Sequence, residues 1–450
     1  MTTGSGSREG LAVRVAAQTP GPRDRYLDAL RVLALGMVIL GHWLVRVVIA
    51  PGGEVQAGYL LAMAPGWQWA TLLWQVMPLF FLVGGVVNAA SWRRARQAGQ
   101  TPVGWLRARA RRLLRPALPL LAIMVPAGVI VEITVPGRIV IDPGVALIPL
   151  WFLAAYLAVT ALTPWSVAVH ERGLSLPLIA VAAVGSGAFD LLRLAGVGPV
   201  LGTQPLVGVP NFLLVWGAIH QLGHLWADNR LPARPAGQAA LAATGAAGLA
   251  VLIGLAGWPL SMVPIEGTLA PNNAAPPTLA LLALALVQTG IALLLRPAVT
   301  RLLRRPRAWA AVALPGAVLM TLFLWHQVAL LLVANVAVPA GWLPVGAALD
   351  AEWWRLRPLW LAACAAALLP LFAAFYRFEA PAGAPPEGGM ARTLLGVALV
   401  AAGLAGVLWV RAAGAQALLA LPALGVVLLG FLALGVMGQA GRGGRGPAER

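Results

Sequence analysis

Apolar stretches of roughly 18 to 25 residues, the length of a bilayer-crossing helix, recur almost end to end along this 450-residue chain. They predict twelve spans. The first six are Leu27-Ala50, Ala70-Ala90, Pro116-Val135, Val145-Thr163, Leu174-Leu194 and Gly208-Ala227. The others are Gln238-Gly257, Thr278-Leu295, Trp309-Val336, Pro358-Tyr376, Thr393-Val410 and Ala417-Val436. The expected fold class is all-α, a polytopic transmembrane helical bundle. Polar, Pro- and Gly-rich pieces punctuate it, and no apolar segment in the first 25 residues resembles a cleavable leader.

Composition agrees. With 60% hydrophobic and 10% charged residues and a mean hydropathy of +0.82, a water-soluble domain of this size is excluded. The net charge of +17 would suit a nucleic-acid partner in a soluble chain, but all 32 basic residues are arginines clustered beside the spans. The connection after the second span holds Arg93, Arg94, Arg96, Arg107, Arg109, Arg111, Arg112 and Arg115 with no acid. The connection after the eighth holds Arg296, Arg301, Arg304, Arg305 and Arg307. Pro51 to Trp69, Ala195 to Val207 and Gly257 to Pro277 hold none. This asymmetry predicts both termini in the cytoplasm of a plasma-membrane protein, with no nucleic-acid partner. The single cysteine, Cys364, lies in an apolar run and forbids an intramolecular disulfide.

Ionisable residues inside spans cost a few kcal/mol each and are functional candidates for that reason. His42 lies in the first span, eleven residues after Arg31. On a helix that separation is roughly 16 Å and about three full turns, so both side chains share one face at different depths. A single tunnel framed by both is the expectation. Asp28, three residues before Arg31, is placed to pair with it or with Arg25. His220 and His224 have the i, i+4 spacing of metal ligands, but no carboxylate or third histidine accompanies them. No metal site is therefore expected, and the pair either touches an acceptor or packs. His170 reads as a solvated loop residue, and Asp190 with Arg193 as a local ion pair. Asn88, Gln75, Glu132, Asn211 and Gln288 are polar groups in spans with no assigned role.

Several segments, taken in order, closely resemble the family-3 membrane acyltransferases, which modify surface polysaccharides, lipids and secondary metabolites. Leu27-Asp28-Ala-Leu-Arg31 followed by His42 is similar to that family's opening signature. Pro78-Leu-Phe-Phe-Leu-Val-Gly84-Gly85 is similar to its P-x-F-F-x-x-S-G, with Gly84 where the family has Ser. Arg109-Ala-Arg-Arg112-Leu-Leu-Arg115 resembles a basic R-x-x-R segment in either of two registers, Leu150-Trp-Phe-Leu153 its W-F-L, and Leu324-Trp-His326 its late Y-L-x-H.

The resemblance implies transfer of an acyl group, acetyl above all, from cytoplasmic acyl-CoA to a hydroxyl of a carbohydrate, lipid-linked or small-molecule acceptor. It implies His42 as general base with Arg31 beside it as catalytic residues. Arg109, Arg112 and Arg115 become acyl-donor ligands, or topology signals alone. Asp28 and His326 become supporting groups, with His326 a polar helix contact in the plainer reading, and His220 and His224 acceptor-side candidates. Acyl-CoA would be a co-substrate and no cofactor would be permanently bound. A covalent acyl-histidine remains open beside direct transfer. The domains are then a cytoplasmic tail 1-25, a ten-span acyltransferase core 26-377, a linker 378-392, two additional spans within 393-437, and a tail 438-450. A transporter using the intramembrane Arg, Asp and His as a permeation or proton path is the competing class.

Overall fold

The computed structural model describes residues 10, 12–19, 23–135, 138–201, 204–266, 268, 271–380 and 388–437. The expected tail 438-450, residues 381–387 of the expected linker, and residues 1–9, 11 and 20–22 of the expected N-terminal tail lie outside them. Among the described residues, twelve helical segments are long and apolar enough to cross a membrane, and they match the twelve predicted runs in order. The chain is a multi-pass membrane protein.

The first span is the helix α1 (Arg25–Val45), begun by Asp24, whose carboxylate accepts from the free amides of Tyr26 and Leu27. The expected span ran to Ala50. The helix instead ends at Val45, and Arg46–Ile49 (β1) pairs antiparallel with Gln56–Tyr59 (β2). Three successive β-branched residues, Val47, Val48 and Ile49, favour the strand. The end of α1 leaves unpaired carbonyls, and long polar side chains from the tenth span satisfy them. Trp360 Nε1 donates to Trp43 O (2.9 Å) and Arg357 to Arg46 O (3.1 Å).

The second span breaks at Gln75 before α2 (Met77–Gln97) begins. Its exposed amides are met by two glutamines: Gln75 accepts from Met77 N (3.2 Å) and Gln288 from Leu79 N (3.1 Å). An arginine-bearing helix α3 (Pro102–Leu114) follows, then α4 (Ala117–Thr134), α5 (Leu150–Ala161), α6 (Thr163–Glu171), α7 (Ser175–Leu194), α8 (Asn211–Ala227), α9 (Pro235–Gly254) and α10 (Leu279–Leu302). The ninth span was expected to be one helix; it is two, α11 (Pro306–Ala317) and α12 (Leu319–Leu332), parted at Val318. Pro315 lacks a backbone donor and disrupts the turn before it. Glu379 repairs the break, its carboxylate accepting from the amides of Met320 (3.1 Å) and Thr321 (2.9 Å). The chain closes with α13 (Ala351–Phe375) and a hairpin of α14 (Met390–Ala412) and α15 (Ala420–Leu434).

Helices in lipid gain little from hydrophobic association, so close approach through small residues carries much of the packing. A Cβ at Gly85 of α2 would lie 2.1 Å from His220 O, and one at Gly223 of α8 only 2.2 Å from Leu82 O. Gly223→Leu is therefore expected to destabilise the bundle by about 1–3 kcal/mol or more, seen as a lowered melting temperature in detergent.

At the arginine-rich end, Arg93 binds Asp228 (2.5 Å) and Arg96 binds Glu171 (2.9 Å), latching α2 to α6 and to the end of α8. The hydrogen bond from Arg96 holds the Glu171 carboxyl below the ordinary carboxylate range. Burial pushes Asp228 up, but Arg93 and His170 outweigh it and hold it down. Carboxyls depressed in the fold contribute stability above their unfolded values, about 4.3 and about 3.9, and lose it as pH falls through the folded ones. Thermal stability is expected to decline on acidification below about pH 4, shallowly because both groups are partly exposed, with Glu171→Gln flattening the profile.

Candidate active site

Two polar centres lie along the bundle. The first joins α1 to α12. His42 Nδ1 stands 2.8 Å from His326 Nε2, and His326 Nδ1 stands 2.5 Å from Phe323 O. The two rings are parallel to within 3° with centroids 5.1 Å apart, which with the short N–N distance is an in-plane hydrogen bond. A carbonyl can only accept, so His326 Nδ1 carries the hydrogen. Neutral His326 then offers a bare Nε2, His42 donates to it from Nδ1, and the lone pair of His42 Nε2 is left free. His42 makes no other hydrogen bond among the described residues. Trp43 Nε1 donates to His326 O (2.9 Å), fixing the two helices at this depth. Behind His42, Trp74 donates to Met37 O and covers Gly41, where a Cβ would meet its Nε1 at 2.3 Å.

His42 opens on a cavity of about 2010 Å³ whose upper walls are the connections at the face opposite the arginine clusters. Gln327, the residue after His326, lines the same cavity. It is 2% exposed, and its side-chain Oε1 is buried with no hydrogen-bond partner among the described residues. An unpartnered buried amide oxygen in a residue lining a cavity is a costly arrangement that a ligand can relieve. Just above His42, Glu266 bridges Arg46 and Arg411.

The second centre is at the arginine-rich end. Arg109 donates to Asn88 Oδ1, and Asn88 Nδ2 donates to Thr160 Oγ1 (3.3 Å) and stands 3.2 Å from His220 Nε2. Burial first, then the guanidiniums of Arg112, Arg31 and Arg94, pull Arg109 below its ordinary value, while Tyr156 acts the other way. Arg31 thus stands among Arg109, Arg112 and Arg94, and its carboxylate neighbour is Asp28 (3.6 Å), itself held by Arg23 (2.5 Å). Arg115 turns aside to Ala380 O (3.3 Å). Between the two centres runs a contiguous set of aromatic rings: Tyr156 against Phe80, Phe81 and Phe152, Phe152 against Phe323, and Phe323 against His326. At Gly84 a side chain would run into this set, 2.7 Å from Tyr156 Cε2.

His42 and His326 are thus brought together, as are Arg31, Arg109 and Arg112. His220 and His224 are not beside the cavity; they sit in the buried network, His224 donating from Nδ1 to Gly85 O (3.1 Å) and meeting Ser166 Oγ (3.0 Å). The expectation that His170 is solvated is wrong: it is fully buried, between Ser175 Oγ (2.7 Å) and Asp228 (2.8 Å). The expected ion pair of Asp190 with Arg193 does not form. Asp190 accepts from Asn211 Nδ2 (3.0 Å) and Leu279 N (2.8 Å), and Arg193 donates to Asn272 O (3.1 Å). The tunnel expected to run past both Arg31 and His42 is present only at its His42 end, since Arg31 is not among the walls of the cavity.

A family profile described as an acyltransferase domain matches residues 24–377. The chain belongs to the acyltransferase 3 family. It is a membrane enzyme that transfers acyl groups. No curated protein and no solved structure matches it. The match to this membrane acyltransferase ends before α14, so the closing hairpin of spans lies beyond the family domain.

Sequence reasoning missed Gln327, Arg46 and Arg411. For Gln327 a signal existed, a second polar residue directly after His326 in an apolar run. Arg46 and Glu266 lie 220 positions apart and Glu266 and Arg411 145 apart, which no local pattern connects.

Proposed function

We propose that this enzyme moves an acetyl group from acyl-CoA, held at a cytoplasmic arginine-rich face, to a hydroxyl of a carbohydrate, lipid-linked or small-molecule acceptor in the opposite cavity. The setting is the plasma membrane with both termini cytoplasmic, as the arginine distribution favours. The observation that carries the reading is the chain Phe323 O, His326, His42, which leaves a free imidazole lone pair at the cavity wall.

In this mechanism His42 Nε2 takes the proton of the acceptor hydroxyl while its oxygen attacks the thioester carbonyl carbon. The tetrahedral oxyanion accepts a hydrogen bond from the Gln327 amide. Collapse breaks the C–S bond, and the thiolate recovers the proton from His42, so the ester and free coenzyme A leave with the imidazole neutral. His326 is a positioning residue: it sets the tautomer of His42 and accepts the partial charge on Nδ1–H as the imidazolium forms. Arg109, Arg112 and Arg31 hold donor phosphates, for which guanidinium forks are suited. The arm between phosphates and thioester then covers the roughly 16 Å from Arg31 to His42 along the aromatic rings.

Radiolabelled acetyl-CoA with purified enzyme in nanodiscs tests this. Arg109→Gln is expected to raise the KM for acetyl-CoA roughly 10- to 100-fold with little change in kcat, the value of a lost charge-assisted hydrogen bond. Arg112→Gln, at an exposed position, should act in the same direction without threatening the fold. Unchanged donor KM in both variants would remove the arginines from donor binding, and substrate flux in proteoliposomes without donor would instead support the transporter reading.

A further inference from the structure

The closing hairpin lies outside the family domain, yet α14 forms one wall of the cavity that reaches His42. On α14 that wall starts with Ala401 and Ala405, one turn apart, and towards the mouth takes in Val407, Leu408, Trp409, Val410 and Arg411 in succession. The other side of α14 is spent on α15: a Cβ at Gly403 would meet Val427 N at 2.7 Å, and one at Gly430 of α15 would meet Val400 N at 2.8 Å. So α15 braces α14, and α14 presents an apolar wall whose Ala401 and Ala405 are small. Small residues in a lipid-embedded wall normally admit another helix at close range. Here they face a cavity.

The mouth has different chemistry. Glu266 is clasped by Arg46 and Arg411, so the hairpin delivers one of the two guanidiniums, while the other, Arg46, lies four residues along the chain from His42. Trp67 and Trp354, with ring centroids 5.0 Å apart, also line the cavity and remain half exposed. Paired charges with spare donor and acceptor capacity, beside indole faces, suit a hydroxyl-rich ring that offers hydrogen bonds at its edge and C–H groups on its face.

Given the acyl-transfer reading, we infer that the last two spans are part of the acceptor site, and that the acceptor is an amphiphile whose alkyl chain lies along Ala401, Ala405 and Leu408 while its polyhydroxylated head sits at the Arg46–Glu266–Arg411 clasp. The head then holds a hydroxyl next to His42, and the chain accounts for an apolar wall that a free sugar would leave unused. The hairpin selects the acceptor; it takes no part in proton transfer.

The test uses the full chain in phosphatidylcholine nanodiscs and a dodecyl glucoside carrying a diazirine in its alkyl chain. Photolabelling is expected on residues 401–411, displaced by unlabelled dodecyl glucoside and lost in Ala405→Trp, which fills the wall. Ala401→Leu, a smaller intrusion, should give a partial loss in a protein of unchanged melting temperature. In the transfer assay Ala405→Trp should raise the KM for dodecyl glucoside roughly tenfold or more and leave transfer to free glucose unchanged. Labelling confined to lipid-facing surfaces, or undiminished in Ala405→Trp, overturns the inference. Labelling at 401–411 with no transfer by the unmodified enzyme to either glucoside or glucose keeps the amphiphile site and rejects the acyl-transfer reading instead.

Discussion

His42→Gln is expected to lower kcat for acyl transfer roughly 10²–10⁴-fold while the protein melts at the same temperature and retains donor KM. Glutamine fills similar space and can still hydrogen-bond His326, but it has no lone pair basic enough to take a hydroxyl proton. The companion variant His326→Leu should also be impaired, because His42 is then free to place its hydrogen on Nε2 and turn its base away from the cavity. The two residues act as one unit, so the double variant should be no slower than His42→Gln alone. Multiplying losses, seen in single-turnover measurements, would mean that His326 acts independently of His42 and would refute the tautomer assignment.

Gln327→Leu is expected to reduce kcat roughly 10²–10³-fold, the usual effect of removing one donor to a developing oxyanion. Leucine preserves volume and removes an amide whose buried Oε1 has no hydrogen-bond partner among the described residues, so the fold should be no less stable and its melting temperature no lower. That combination discriminates: a structural glutamine would show lost stability with modest loss of rate, whereas a transition-state donor shows the reverse. Gln327→Glu places an anion where negative charge develops, and should be at least as slow as leucine. Full activity in Gln327→Leu would assign oxyanion stabilisation to another group.

The sequence by itself determined the architecture, because in a bilayer the requirement is one-dimensional: backbone groups must be satisfied within each segment, so apolar length alone marks a span. Twelve runs, and twelve candidate spans among the described residues, follow from that. It determined the face carrying the arginines for the same reason, since charge sorts beside spans and not within them. It also singled out His42, because an imidazole in an apolar run is costly wherever the helix packs.

Where regularity fails inside the membrane, local sequence was insufficient. The breaks at Gln75 and Val318 are stable because Gln288 and Glu379, distant in the chain, take up the released amides. His170 read as solvated because its short loop is polar, but Asp228 and Ser175 enclose it.

Only the tertiary structure decided the hydrogen-bond pattern of the polar residues. Nothing in residues 25–45 fixes the tautomer of His42; it is set by His326, 284 positions away, and that of His326 by the Phe323 carbonyl within the same helix. Likewise the clasp over the cavity joins Arg46, Glu266 and Arg411 from three distant segments. Hydrogen-bond direction and electrostatic environment depend on distances of about 3 Å, which packing sets, whereas insertion into a membrane depends on hydrophobicity summed along a segment, which the sequence states directly.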